Sequence, residues 1–176
     1  IAPGMMGRPW VEPFFDIHAS YAGLGAVVGH EFSHAIDPSG RHVDATGRPG
    51  VFWSDADEDA YEERLGCYIE QLDGTKVTRR VTIDPVAALE ESLADIVGLQ
   101  IAWDAWKAGG GGAEPIKLGG RVLDADRQFF LAYAQMWCSW EPDRLMEYRS
   151  QGSHVLPSWT RVNMAVRNHS AFAETF

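Results

Sequence analysis

Residues 27–37 read VVGHEFSHAID, and they close a run from residue 21 to residue 36 that is almost uncharged apart from Glu31. The run predicts a buried helix that is weakened by its glycines, Gly23, Gly25 and Gly29. Residues four apart project from the same face of a helix, so the imidazoles of His30 and His34 can converge on one metal ion. Glu31, the next residue after His30, reaches the edge of that site.

The spacing His-Glu-x-x-His is typical of zinc metallopeptidases, in which the two histidines bind the ion and the glutamate acts as the general base. The alternative is a pair of histidines on a helix face that make local hydrogen bonds. An apolar helix that ends in His30, Glu31 and His34 would then desolvate three ionisable side chains without compensation. A zinc ion would compensate for that cost, and a metal site is therefore the prediction.

A catalytic zinc site needs a third protein ligand and an open position for water. A helix is predicted to begin at Asp84-Pro85 and to run to Gly109, and it places Glu91 and Asp95 four apart on one face of an otherwise apolar segment. Two carboxylates that face a core need a cation, which predicts a ligand here. The alternative is an acidic first turn favoured by the helix dipole, which explains Glu90, extends less readily to Glu91 and fits Asp95 less well.

Length and composition limit the remaining possibilities. The 176 residues, 45% of them apolar, fit one globular domain, and a net charge of −10 argues against a nucleic-acid-binding surface. No run approaches the roughly 18 apolar residues that would cross a bilayer. Cys67 and Cys138 are too few for a disulfide scaffold or a cysteine zinc site, and two buried thiols are expected.

Caps, stops and periodicity predict the rest of the secondary structure. The first twenty residues, rich in proline and aromatic residues, predict an extended segment that is held by aromatic burial. The other predicted elements are an amphipathic helix from Ser54 to Gly74, a short strand at 76–83, a helix that begins at Asp124 and is ended or kinked by Pro142, and a helical close at 161–176.

Four motifs in this order resemble the neprilysin family of zinc metallopeptidases, the M13 gluzincins. They are VVGHEFSHAID at 27–37, ESLAD at 91–95, FFLAYAQMWC at 129–138 and RVN at 161–163. The resemblance implies an α+β, mainly helical, zincin-like catalytic domain over residues 1–176 that carries one Zn²⁺. Family members usually have a further large helical lobe, so the resemblance also implies a second chain or N-terminal segment as a partner, besides a peptide substrate.

The resemblance assigns roles to the polar residues of these motifs. It makes His30, His34 and Glu91 the zinc ligands, and Glu31 the residue that polarises the attacking water. Asp37 and Asp95 match carboxylates that hold the ligating imidazoles. Asp95 is also assigned to the catalytic residues, together with Glu31 and His154. A solvated acid at the helix end is the alternative for Asp37.

Further roles follow from the resemblance for residues nearer the C-terminus. His154 matches a histidine that stabilises the oxyanion, although its loop is one residue longer than the family's, and Arg161 matches an arginine that binds the substrate's backbone carbonyl. Four residues match the lining of the apolar S1′ pocket, with plain core packing as the alternative: Phe14, Val27, Met136 and Trp137. Three histidines lie outside every motif and are expected to be structural or on the surface: His18, His42 and His169.

The sequence therefore predicts a zinc metalloendopeptidase that hydrolyses oligopeptides on the N-terminal side of a hydrophobic residue. Two alternatives stay open at this point. One is a zinc-binding subunit that has lost catalysis and serves assembly, and the other is a protease dedicated to a single peptide precursor. Replacement of Glu31 separates catalysis from assembly, whereas the natural substrate, the compartment and the oligomeric state are left open.

Overall fold

The structure is a computed structural model that describes residues 3–11, 17–150 and 156–176. The described chain is mainly helical, as predicted, and its only two-stranded sheet is one antiparallel hairpin. The helices are α1 (Ile17–Ser20), α2 (Ala26–Ser33), α3 (Asp55–Leu72), α4 (Leu89–Ala108), α5 (Ala125–Met136), α6 (Asp143–Arg149), α7 (Ser158–Arg167) and α8 (Ser170–Thr175). The strands are β1 (Ile116–Leu118) and β2 (Arg121–Leu123), and short 3-10 turns occur at Pro3–Met6 and Gly40–His42.

Helix α4 lies at the centre of the fold. A π-helical turn at Tyr21–Gly25 joins α1 to α2, and the combined helix packs along α4. Aromatic residues of α4 and α5 fill the main core, where Trp106 stacks on Phe129 and Trp103 stacks on Phe130, with ring centroids 4.9 Å apart in both pairs. Such stacking favours burial of large side chains and holds the two helices in one register. No helix of the described residues is both long and apolar enough to cross a membrane.

Two glycines allow α2 and α4 to touch backbone to backbone. A Cβ atom on Gly98 would lie 2.6 Å from the carbonyl oxygen of Ala26 and 2.6 Å from the amide nitrogen of His30. A Cβ atom on Gly29 would lie 2.8 Å from the carbonyl oxygen of Gly98. The sequence suggested only that Gly29 weakens α2. In the structure Gly29 also allows α2, which carries His30, to lie against α4, which carries Glu91.

Helix α3 begins and ends as predicted. The Ser54 hydroxyl accepts a hydrogen bond from the Asp57 amide at the N-cap, and Gly74 follows the last turn with a φ of +69°. The buried Arg41 guanidinium links α3 to the chain that follows α2 by pairing with Glu58 and Glu62 at 3.0 and 2.6 Å. The last turn of α3 contributes to a second, smaller core cluster beneath α7.

Several predictions of local structure were wrong. Residues 76–83 form a turn with a single bridge between Lys76 and Thr82, because the chain reverses where Thr78 binds the Val81 amide. The first described residues begin with a 3-10 turn instead of an extended segment. Helix α5 ends at Met136, and Pro142 serves as the N-cap of α6. The two thiols were expected to be buried, but both are exposed: Cys67 lies on α3, and Cys138 follows the end of α5.

Replacement of Gly98 by alanine tests the contact between the helices. The added Cβ atom must displace backbone atoms, so we expect the free energy of unfolding to fall by ~1–3 kcal/mol or more. Gly66 is the matched control, because a Cβ atom at this interior position of α3 would have nothing within 4 Å. Gly66→Ala should raise the free energy of unfolding by ~0.5–1 kcal/mol. Urea unfolding measures both, and equal effects of the two changes would contradict the close contact.

The buried His169 predicts a pH-dependent stability. Its ring lies 5.1 Å from Phe130 and 5.5 Å from Trp103, and neither ring nitrogen has a partner among the described residues. Burial lowers the pKa of His169 despite the opposing charge of Asp104. The unfolded chain therefore binds more protons, so stability falls as the pH drops below about 6.5, by up to ~1.4 kcal/mol per pH unit.

The test compares the pH profile of unfolding between the parent protein and the His169→Leu variant. The variant lacks the titrating ring, so its stability should change less between pH 7 and pH 5. An equally steep loss of stability in the variant would show that other groups cause it.

Candidate metal centre

The C-terminal end of α2 brings two imidazoles together. The rings of His30 and His34 meet edge to face with centroids 4.8 Å apart, and their Nε2 atoms are 3.2 Å apart. Ser33 lies between them in sequence but points away into the core, where its hydroxyl donates to the carbonyl oxygen of His30 at 2.7 Å. The imidazoles of His30 and His34 therefore converge, as their spacing of four residues on a helix predicted.

Helix α4 adds a carboxylate at the same point. Glu91 places its two carboxylate oxygens 3.5 Å from His30 Nε2 and 3.8 Å from His34 Nε2. One potential ligand atom from each of the three residues lies within 4.8 Å of the others. Ligand atoms around a tetrahedral zinc ion with bonds of 2.0–2.1 Å are ~3.3 Å apart, so this donor set fits one zinc ion. Glu91 is buried, which disagrees with a purely solvated acidic first turn.

Each imidazole is fixed from behind by a second carboxylate. His30 Nδ1 lies 3.0 Å from Asp95 Oδ1, and His34 Nδ1 lies 2.7 Å from Asp37 Oδ2. A carboxylate only accepts hydrogen bonds, so in the neutral rings Nδ1 carries the proton and Nε2 carries a lone pair. Two lone pairs then face each other across 3.2 Å, an arrangement that a cation between them would stabilise.

Asp37 is held in the chain reversal after α2. Its other oxygen accepts hydrogen bonds from the amides of Ser39 and Gly40 at 2.9 and 2.6 Å. The turn needs glycine at position 40, because a Cβ atom there would lie 1.7 Å from the carbonyl oxygen of His34. Asp37 is only 4% exposed, so the alternative of a solvated acid at the helix end is wrong.

Arg161 of α7 neutralises part of this negative charge. Its Nε and Nη2 atoms donate to the two oxygens of Asp95 at 2.6 and 2.7 Å, and Nη2 also lies 3.3 Å from Glu91. Burial alone would lower the pKa of Arg161, but the hydrogen bond and charge of Asp95 together with the charge of Glu91 outweigh it and raise the pKa. The sequence predicted Arg161 at the site but did not predict this ion pair, since no local spacing connects the two residues.

A cleft of about 210 Å³ opens beside His30 and the exposed Glu31. Three of the four residues that were predicted to line the S1′ pocket line this cleft: Val27, Met136 and Trp137. Trp137 also carries the Arg161 guanidinium 4.0 Å above its ring. The predicted residues Phe14 and His154 lie outside the described residues. Sequence reasoning missed four other lining residues, namely Met5, Trp10, Ala26 and Tyr133.

Tyr133 has an unusual environment for a hydroxyl group. Its side chain is 1% exposed, and the hydroxyl has no hydrogen-bond partner among the described residues. Burial, together with the charge of Asp95, raises the pKa of Tyr133 well above its usual value of 10. The phenol therefore stays neutral and contributes no charge to the centre. The motif FFLAYAQMWC did not indicate that Tyr133 lines the cleft, because an aromatic residue at position 133 is equally typical of core packing.

Comparisons with known proteins found relatives that match nearly the whole chain. The sequence profile of Peptidase family M13 matches residues 3–176. Neprilysin-3 of Drosophila melanogaster is 32% identical over 170 residues, which cover 93% of this chain and 22% of that protein. Endothelin-converting enzyme 1 of Bos taurus is 32% identical over 182 residues, covering 98% of this chain and 23% of that protein. The chain thus spans about a quarter of the length of these relatives.

A solved structure is similar over nearly the same range. It is a zinc metalloprotease of Mycobacterium tuberculosis in complex with an inhibitor, with a TM-score of 0.87 and 27% sequence identity. The match covers 97% of this chain and 27% of that protein.

The donor geometry predicts how zinc affinity responds to substitution. Glu91→Gln removes the anionic ligand and should weaken zinc binding by more than ~100-fold, whereas Asp37→Asn should weaken it by ~10–100-fold. Glu90→Gln is the matched control on the same turn, because its side chain accepts from the Ser39 hydroxyl and does not reach the imidazoles. Competition with a chelator measures the affinities. Equal affinities in the Glu90 and Glu91 variants would contradict the ligand set.

Proposed function

The chain belongs to peptidase family M13, and from this membership we propose that it provides the metal site and the adjoining cleft of a zinc-dependent endopeptidase that cleaves oligopeptides. The proposal rests chiefly on one observation. Two imidazole Nε2 atoms and a Glu91 carboxylate converge, and each imidazole is held by a further buried carboxylate. We propose His30, His34 and Glu91 as the ligands of a single zinc ion.

Zinc, when bound, supplies a Lewis acid that polarises a peptide carbonyl and makes water more acidic. Glu31 is the base in this proposal, because its carboxylate is exposed and lines the cleft next to His30. It takes a proton from the attacking water while the water oxygen bonds to the carbonyl carbon. When the carbon–nitrogen bond breaks, Glu31 delivers the proton to the leaving amine.

The other polar residues position this machinery. Asp37 and Asp95 fix the tautomers and orientations of the two imidazoles, and Arg161 holds Asp95 through two parallel hydrogen bonds. The same guanidinium lines the cleft and meets a substrate carbonyl in this proposal. The oxyanion role of His154 stays a prediction from the resemblance alone.

The cleft supports a preference for cleavage before a hydrophobic residue. Its wall beside Glu31 is formed by apolar side chains that include Val27, Met136 and Trp137. Burial of an apolar side chain there would contribute ~1.5–3 kcal/mol to binding. The assignment of this preference to the side chain on the amine side of the bond follows from the family resemblance, which matches these three residues to the S1′ pocket.

A further lobe or partner chain stays part of the proposal. Support comes from large apolar side chains beside the site that are open to solvent, such as Phe32 at 72% and Ile36 at 51% exposure. Phe32 lies on the helix that carries His30 and Glu31, and Ile36 lies three residues beyond the end of that helix. A surface of this kind next to a cleft is typical of a contact with additional polypeptide.

Replacement of Glu31 by glutamine separates catalysis from metal binding. We expect turnover of a peptide substrate to fall by ~10²–10⁴-fold, because the amide cannot take the proton, while the zinc content stays unchanged. Glu70→Gln, an exposed residue of α3, is the control and should leave both quantities unaltered. Peptide hydrolysis and metal analysis on the protein as it is naturally produced provide the measurements.

The same variant separates the two main classes of function. If the natural biological role survives in the Glu31→Gln protein, the chain serves assembly and the proposed catalysis is wrong. If the role is lost together with turnover, the peptidase proposal is supported.

A further inference from the structure

We propose that the chain at residues 3–11 forms a fixed wall of the substrate cleft, and that Trp10 determines which peptide side chain the cleft accepts. The inference rests on the proposed function, since it specifies the substrate of the same site. Trp10 is absent from the motifs that pointed to this site. Its assignment comes from where the backbone of residues 3–11 is attached.

The side chains of Met5 and Trp10 line the cleft together with His30, Glu31 and Arg161. Both are half-buried and pack against the main core, which α4 and α5 dominate. The cleft volume of about 210 Å³ is below the ~300–1,000 Å³ of sites that bind drug-sized molecules, so it accommodates about one side chain. Because the space is small, an indole at its edge strongly limits the size of the side chain that can enter.

The backbone of Trp10 is held by the π-helical turn before α2. The Leu24 amide donates a hydrogen bond to the carbonyl oxygen of Trp10 at 2.8 Å. This approach requires Gly23, because a Cβ atom there would lie 2.4 Å from the same oxygen and 3.0 Å from its carbon. The π-helical turn thus creates a backbone docking point at the helix that carries the zinc-binding histidines.

Residues 7–11 are also folded upon themselves. The carbonyl oxygen of Gly7 accepts hydrogen bonds from the amides of Trp10 and Val11, both at 3.1 Å. Trp10 is therefore fixed by two backbone contacts that do not involve its indole. As a result, replacement of the indole should widen the cleft without releasing the segment, whereas a side chain at position 23 should displace the segment itself.

The test measures binding of zinc-chelating peptide hydroxamates that differ only in the side chain placed in the cleft. The set carries leucine, phenylalanine or tryptophan, and the protein is used as it is naturally produced. Parent protein should prefer leucine and phenylalanine. Trp10→Ala should shift the ratio of affinities toward the tryptophan compound by at least ~10-fold, because the space of the indole becomes available. Met5→Ala should produce a smaller shift in the same direction.

Two glycines of one turn provide a matched pair of controls. Gly23→Ala should also change the side-chain preference, because it displaces the Trp10 carbonyl. Gly25→Ala should not, because its nearest contacts would be ordinary ones at 3.7 Å. Zinc content and the midpoint of thermal unfolding are measured for every variant. Trp10→Phe, which keeps an aromatic ring, serves where Trp10→Ala is poorly folded, and it should shift the preference in the same direction by less.

The outcomes separate this proposal from the proposed function. If hydroxamates bind with a preference that Trp10 and Gly23 variants leave unchanged, the wall proposal is overturned and the peptidase proposal stands. If the preference shifts as expected but no peptide is hydrolysed, the wall stands and the proposed catalysis fails. If parent protein that contains zinc binds none of the compounds, both proposals fail.

Discussion

The contact between Gly29 and Gly98 is the constraint on which the site depends. Only where both residues lack a side chain can the backbones of α2 and α4 approach this closely. Glu91 lies two helical turns before Gly98, and His30 follows Gly29 directly, so the interhelical distance sets the separation of the proposed ligand atoms. A shift of ~1 Å would exceed the ~0.2–0.5 Å within which a metal site must hold its ligand atoms. Packing between the two helices therefore fixes the relative positions of His30 and Glu91.

The second determinant is the balance of buried charge. Three carboxylates, those of Asp37, Glu91 and Asp95, lie within a few ångströms of two imidazoles and are almost removed from solvent. Arg161 compensates for one of them through paired hydrogen bonds. The remaining negative charge favours a divalent cation, since buried charges are stable only when they are paired. The chain also has an acidic composition overall, but this local arrangement, not the net charge of −10, explains the preference for a cation.

The sequence predicted the components of the site better than their connections. Helical spacing selected the two histidines and left Glu91 and Asp95 as candidate carboxylates, because these signals act within one element. Only the family resemblance singled out Glu91 as the third ligand. The pairing of Arg161 with Asp95 joins residues 66 positions apart and depends on how α7 packs on α4, which no local pattern contains. The role of Gly98 could not be predicted either. From the sequence alone it is a glycine that weakens a helix, and only the structure shows that the backbone of α2 lies against it. The wrong strand at 76–83 shows that alternation alone cannot tell a short strand from a tight chain reversal.

The position of Arg161 in the sequence has a consequence for how the molecule is made. Its Nη2 atom approaches the ring of His30 across 131 positions of the chain. During synthesis His30 and Asp95 are translated before Arg161, the cation that pairs with Asp95. A nascent chain therefore passes through a long period in which the acidic pair on α4 lacks its guanidinium. The ion pair between Arg161 and Asp95 can therefore form only after α7 has been translated and has docked on α4.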